Sequence, residues 1–509
     1  MRVMRSNVTI LKIAFSVPAL GFMASAQSSA VAADSRPNIV FILADDLGWR
    51  DTSVYGSAFY RTPNIDRLAQ QGLRFTNAYA ANPLCSPTRA SILTGLYPGR
   101  IGITTPSCHL PETRLEATIG TSAKPDRKAI TPVSANRLNT TYPTLVVSLK
   151  EAGYATGHFG KWHLGREPYS AREHGFDVDV PHYPGPGPAG SYLAPWKFPP
   201  SLDFRGQKGE HIEDRMASEA IRFINENKDR PFYLNYWSFS VHGPWDAKEE
   251  LIQRYARQVN PKSPQRNPVY SAMVHSLDDA VGALLNELDR LKIAQRTIIV
   301  FFSDNGGVHW LDDRMRQRFG LTSPPTSNAP LRGGKATLYE GGTREPCIVV
   351  WPGRVPHGAT SEAMLSSVDF YPTLLDMVGI KPRNGQRFDG VSQVPALLGA
   401  GKPRDTAYCF FPHYTKATGN LPGAWVRKGD WKLIRFFHDN PDQTDRFELY
   451  NLRNDIGETR DLAAETSERV NELNDLIEQH LKDIDALLPK RNPAYKRDGE
   501  REPASSTAP

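Results

Sequence analysis

Two pairs of residues offer ligand chemistry, Asp45-Asp46 and Asp304-Asn305. All four present oxygen donors. Carboxylates with one amide carbonyl suit a hard cation, Ca2+ first and Mg2+ second. One Asp-Asp pair is commonly a turn or a strand-end cap. Two pairs far apart in sequence, each after an apolar run rich in β-branched residues, read as one site assembled by the fold. No His or Cys cluster has zinc spacing. Cys85-Ser86-Pro87-Thr88-Arg89 adds a thiol at a helix start, with Arg89 one turn later on the same face. A helix start stabilises a thiolate, although a buried, inert cysteine is the commoner fate. Lys161, and Lys335 after Gly333-Gly334, are candidate fixed charges for an anion, and such charges gain strength in a water-poor site. His163 and His242 are candidates for proton transfer near neutral pH. His158, His309 and His413 have no comparable flanking motif.

These groups need a scaffold that gathers distant segments. Residues 38–43 form a continuous apolar run suited to a central parallel strand covered on both faces. Further strands are expected at 154–159, 232–239, 298–302 and 347–351. Helices are expected at 63–71, from Pro87, and at 142–152, 214–228, 270–291 and 368–378. The alternation predicts an α/β fold with a large mixed, mainly parallel sheet sandwiched by helices. Ligands in such sheets bind beyond the carboxyl ends of strands, where both acidic pairs fall. After residue 400 the pattern changes to short strands at 407–411, 424–427, 431–436 and 447–450, then a helix at 465–487. This predicts a smaller C-terminal antiparallel sheet with a terminal helix.

The expected organisation is a signal peptide at 1–33, a catalytic α/β domain at 34–400, a C-terminal α+β subdomain at 401–490 and a disordered tail at 491–509. Arg2, Arg5 and Lys12 precede a short apolar run and small-residue cleavage sites, which together read as an export signal and not a membrane span. The expected location is therefore periplasmic or secreted. The chain has 61 basic and 55 acidic residues. Without the three basic residues of the leader the balance is 58 to 55, too even for a nucleic-acid binder. With Cys85 set aside, Cys108, Cys347 and Cys409 leave room for one disulfide at most. Two loop segments, 106–139 and 181–200, have the length and composition of insertions that carry specificity.

The ordered set C-S-P-T-R, G-K-W-H-L-G, V-H-G-P, S-D-N-G and G-G-K resembles the type I sulfatases of the alkaline phosphatase superfamily, over about residues 37–460. The resemblance implies that Cys85 is oxidised to formylglycine by a maturation enzyme and that its hydrate attacks the sulfate ester. It gives the metal to Asp45, Asp46, Asp304 and Asn305, with the modified Cys85 completing the shell. It gives Arg89 the charged hydrate, Lys161 and Lys335 the sulfate oxygens, His163 the hydrate hydroxyl, and His242 the leaving oxygen. Ile456 stands where the family often has proline, and the insertion after Thr105 is longer than in many relatives.

The expected function is a sulfuric ester hydrolase, acting on carbohydrate sulfates by analogy with that family. Two other readings remain: a phosphoester or phosphonate hydrolase of the same superfamily, and an inactive secreted glycan-binding relative. The expected partners are a sulfated small molecule or glycan and the maturation enzyme.

Overall fold

The run at 38–43 becomes strand β1, Asn38–Ala44, with every residue buried. Its two-residue repeat divides the core. Val40, Ile42 and Ala44 belong to one apolar cluster, and Ile39, Phe41 and Leu43 to another on the opposite face. The computed structural model describes residues 36–202 and 204–497. The expected signal peptide and residues 498–509 lie outside the described residues.

The main sheet adds β2 (Leu73–Tyr79), β3 (Ala155–Gly160), β4 (Val178–Val180), β5 (Phe232–Trp237), β6 (Thr297–Ser303), β7 (Arg344–Val350) and β8 (Ala359–Ser366). The order is β8-β2-β7-β6-β1-β5-β3-β4. β7 runs antiparallel to both of its neighbours, β2 and β6, and the remaining pairs are parallel. The helices are α1 (Pro63–Gln71), α2 (Cys85–Thr94), α3 (Leu145–Glu151), α4 (Ile212–Asn227), α5 (Pro268–Arg290), α6 (Asp313–Phe319), α7 (Phe370–Met377) and α8 (Ser467–Asp483). Apolar residues of α1, α4 and α5 pack on one face of the sheet. Those of α2, α3 and α7 pack on the other. This is the expected α/β sandwich.

α5 shows local and tertiary signals agreeing. Pro268 occupies the first turn, where no amide hydrogen is needed, and Asn267 caps it by accepting from the amides of Val269 and Tyr270. α2 begins two residues earlier than expected, at Cys85. Pro87 is its third residue, and the amide it lacks is one that a first turn leaves unpaired in any case.

A four-stranded antiparallel sheet follows in chain order, β9 (Thr406–Phe411), β10 (Gly423–Lys428), β11 (Trp431–Phe436) and β12 (Arg446–Asn451). Leu473, Ile477 and Leu481 of α8 pack on one face of it. A buried ion network ties this sheet to the segment entering β7. Lys432 lies 2.9 Å from Glu340 and 2.9 Å from Glu458, with all three side chains fully buried.

One expectation changes. The segment after residue 490 is not wholly a disordered tail. Lys490–Arg491 pairs with Ala129–Ile130, and Asn492 is buried with its side-chain amide donating to the carbonyls of Lys124 and Arg127. The cysteine count left a disulfide open, and in the structure all four cysteines are buried free thiols.

Candidate active site

Four adjacent parallel strands deliver the site from one edge of the sheet. β1 ends in Asp45-Asp46, β6 in Asp304-Asn305, β3 in Lys161 and His163, and β5 leads to His242. β7 runs the other way, so its entry is at that same edge and the loop before it brings in Lys335. Two glycines make the return tight. Gly333 has φ +73°, and a Cβ on Gly334 would stand 2.4 Å from the Gly307 carbonyl oxygen.

Cys85 sits at the centre and is buried. Its Sγ stands in for the oxygens that a formylglycine hydrate would carry. Ligand atoms of Asp45, Cys85 and Asp304 lie within 4.8 Å of one another, as do those of Asp46, Cys85 and His242. Lys335 Nζ is 3.7 Å from Cys85 Sγ and donates to both oxygens of Asp46, at 2.6 and 2.7 Å. Lys161 Nζ donates to Asp45 Oδ2 at 2.6 Å. Arg89 donates through Nε to Asp304 Oδ2 at 2.9 Å and through Nη1 to the Lys161 carbonyl at 2.7 Å. Three carboxylates thus face three cations in a site with almost no solvent exposure.

Burial works against those carboxylates. It raises the Asp45 carboxyl to about 7, with the charges of Asp304 and Asp46 adding to the rise against Lys161 and Arg89. At Asp46 burial is outweighed by Lys335, His242 and Lys161, and the carboxyl is held far below its usual range. Burial also pushes the Cys85 thiol up to about 12, despite Lys161 and Lys335. An unmodified Cys85 is therefore a thiol at neutral pH. A helix start favours a thiolate, but desolvation outweighs it here.

The oxygen donors fit a hard cation. Asp45 Oδ1 and Asn305 Oδ1 are buried without a hydrogen-bond partner. Asn305 directs its amide nitrogen to Asp46 Oδ1 at 2.8 Å, which leaves its carbonyl oxygen unengaged. Unpaired buried acceptors beside crowded carboxylates are costly unless a cation shares them.

Both histidines are held neutral. Burial, then Lys335 and Lys161, push His242 well below its ordinary value. Its Nδ1 lies 2.6 Å from the Gly243 carbonyl oxygen and therefore carries the proton, while Nε2 is 3.8 Å from Asp46 Oδ2. Burial and Lys161 lower His163 in the same way. Its Nε2 is 3.0 Å from His109 Nδ1, and its own Nδ1 is buried without a partner. The Ser86 hydroxyl donates to the His163 carbonyl at 2.7 Å, joining α2 to the segment after β3.

All the expected site residues converge. Arg89 differs in detail, since its hydrogen bonds hold Asp304 and a backbone carbonyl. His109 was not legible. It comes from the 106–139 segment, whose polar sequence has no periodicity and no flanking motif. Tyr192, from the 181–200 segment, places its hydroxyl 2.8 Å from the His242 carbonyl oxygen. Both presumed insertions therefore reach the site.

The family described as Sulfatase matches residues 37–380, and that described as N-sulphoglucosamine sulphohydrolase, C-terminal, matches 334–486. The chain is 30% identical to N-acetylgalactosamine-6-sulfatase of Homo sapiens over 503 residues, covering 90% of this chain and 88% of that protein. It is 30% identical to a sulfatase of Formosa agariphila, covering 85% of each. The crystal structure of Ps i-CgsB in complex with k-i-k-neocarrahexaose superposes with a TM-score of 0.69 at 27% identity, over 87% of this chain and 92% of that one.

Proposed function

The chain belongs to the sulfatase family and is a sulfuric ester hydrolase, and we propose that it removes sulfate from carbohydrates, using formylglycine made from Cys85 and one Ca2+ ion. The observation that carries this reading is the convergence on Cys85 of Asp45, Asp46, Asp304 and Asn305 with Arg89, Lys161 and Lys335. The formylglycine hydrate supplies a nucleophilic hydroxyl and a second one whose deprotonation later expels sulfate. The ion supplies positive charge for the sulfate oxygens and lowers the cost of crowding the carboxylates. Asp45, Asp46, Asp304 and Asn305 would hold it.

The chain's own groups do the rest. Lys161 donates to Asp45 and Lys335 to both oxygens of Asp46, which leaves each with donor capacity for a sulfate oxygen. Their charges are fixed in a dry site, so they need no reorganisation as charge shifts in the transition state. Arg89 fixes the Asp304 carboxylate and with it the ligand geometry. His242 has an unprotonated Nε2 at rest. An arriving anion favours a proton there, which His242 then passes to the leaving alcohol oxygen. His163 Nδ1 has no partner and is the acceptor for a hydrate proton.

The carbohydrate assignment is supported by relatives that bear N-acetylgalactosamine-6-sulfatase as their name and by a fold neighbour crystallised with k-i-k-neocarrahexaose. The charged and apolar start of residues 1–33 supports export to the periplasm or medium. Among the described residues no helix is long and apolar enough to cross a membrane.

The test pairs peptide mass spectrometry with activity. Protein from a host with the maturation enzyme is expected to carry the aldehyde or its hydrate at Cys85. It is also expected to release sulfate from a chromogenic aryl sulfate and from position-defined sulfated saccharides. Full activity with Cys85 unmodified overturns the formylglycine reading. Hydrolysis of the aryl sulfate alone overturns the carbohydrate reading.

A further inference from the structure

A cavity of about 370 Å3 opens beside His242 and Gly243, within the size range of about 300–1,000 Å3 that small-molecule sites occupy. Its lining combines aromatic and cationic side chains. Trp245 meets Phe319 edge to face, with ring centroids 5.4 Å apart. Trp310 also lines it, and Met315 is buried behind. The Trp245 indole N–H is buried without a hydrogen-bond partner.

The cations come from α6, which also contributes Phe319. Asp312 caps this helix by accepting from the Met315 amide at 2.8 Å, and Gly320 ends it with φ 65°. Arg314 and Arg318 are one turn apart and both line the cavity. Like charges at that spacing oppose each other. Arg314 has no ion pair or hydrogen bond among the described residues, and Arg318 only lies over the adjacent Phe319 ring, 5.2 Å from its centroid. The one carboxylate in the lining, Asp312, is engaged by its own helix. A bound anion would relieve the repulsion and satisfy both guanidinium forks. An aromatic wall suits the apolar C–H face of a pyranose ring. The cavity also touches the catalytic histidine, so its occupant is adjacent to the leaving oxygen.

We propose that this cavity is a second saccharide subsite, which holds an acidic sugar unit next to the unit whose sulfate is removed. The proposal rests on the carbohydrate sulfatase reading and narrows it to oligosaccharides with an oxyanion on the neighbouring unit. Both a sulfate and a uronate carboxylate supply that oxyanion.

The experiment uses the full-length matured enzyme and the double variant Arg314→Gln/Arg318→Gln, both sites being exposed. Substrates are an aryl sulfate, sulfated monosaccharides, and sulfated disaccharides whose second unit is neutral, uronate-bearing or sulfated. The parent is expected to prefer a disaccharide with an acidic second unit. Hydrogen bonds to charged groups contribute enough that the double variant should lose about tenfold or more in kcat/KM on it, mainly through KM. Its rates on the aryl sulfate, the monosaccharide and the neutral disaccharide should stay within about twofold of the parent, on the same hydrogen-bond reasoning. The favoured acid, sulfate or uronate, identifies the oxyanion, and either supports the subsite. Equal use of neutral and acidic disaccharides by the parent, or an undiminished preference in the double variant, overturns it. Turnover of the aryl sulfate with no saccharide turnover overturns the carbohydrate reading instead. Trp310→Ala is the second variant, expected to weaken both disaccharide classes while sparing the aryl sulfate.

Discussion

His109 Nδ1 stands 3.0 Å from His163 Nε2, so a ring from the loop after Thr105 fixes a ring delivered by the end of β3. One proton is shared between the two nitrogens. The contact orients His163 and leaves its Nδ1 buried without a hydrogen-bond partner. His109→Ala should lower kcat by roughly three- to tenfold, the worth of one hydrogen bond. The same factor is expected for aryl and saccharide sulfates, because His163 acts on the enzyme's own nucleophile. His109→Gln should restore part of the rate. A loss confined to saccharides would make His109 a substrate contact instead.

His242→Ala should show the opposite pattern. A sugar hydroxyl needs a proton as the S–O bond breaks, whereas a nitrophenolate hardly does. General acid catalysis is worth about 10²–10⁴-fold, so saccharide desulfation should fall by that order and aryl sulfate hydrolysis far less. Measuring kcat/KM on both substrates decides the matter. Equal losses would remove His242 from the acid role.

One Ca2+ per chain is expected after extensive dialysis, read by elemental analysis. Asp304→Ala should abolish it. Chelation should lower the melting temperature, since a ligand at 100 times its Kd adds about 2.7 kcal/mol to folding. Stoichiometric zinc would contradict the oxygen-ligand reading.

Lys432→Met should destabilise the fold by about 3–5 kcal/mol in chemical denaturation, because it takes the buried Glu458 away from its cation and leaves Glu340 with Arg344 alone as an ion-pair partner, at 3.3 Å. The network also gives stability a pH signature. Burial would raise Glu340, but Lys432, Arg344 and Arg427 outweigh it and hold its carboxyl at about 2. Burial raises Glu458 to about 7, with Lys432 opposing. Both start from an unfolded value of 4.5. Between pH 7 and 4.5 the folded chain binds the extra proton, so stability rises as pH falls. Below 4.5 the unfolded chain binds more, so the Glu340 contribution is lost toward pH 2. Glu458→Gln should reduce the rise, to which the raised Asp45 carboxyl also contributes, and keep the loss. A parent whose stability only declines from pH 7 downward would refute this.

Much of this was legible. Residues 431–436 and 63–71 emerged with their expected bounds, because apolar patterning and flanking turns agree there. β2 and β8 were missed. LRFTNAY and ATSEAMLS mix polar residues into half-buried strands, and their pairing is set by partners far away in sequence. The antiparallel sense of β7 was also hidden, since strand composition does not record direction. The metal and nucleophile segments could be read because each ends an unusually apolar strand or opens a distinctive helix. His109 could not, because its position is fixed by loop packing: Arg137, in the same segment, donates to the carbonyls of Cys108 and Leu110.

The short pairing of Lys490–Arg491 with Ala129–Ile130 bears on how this protein is handled. The far end of the chain braces the segment that carries His109. Trimming back to Pro489, a natural choice for crystallisation, would unpair Ala129–Ile130 and withdraw the Asn492 amide from the Lys124 and Arg127 carbonyls. A protease that clips there would release the same segment without touching a catalytic group.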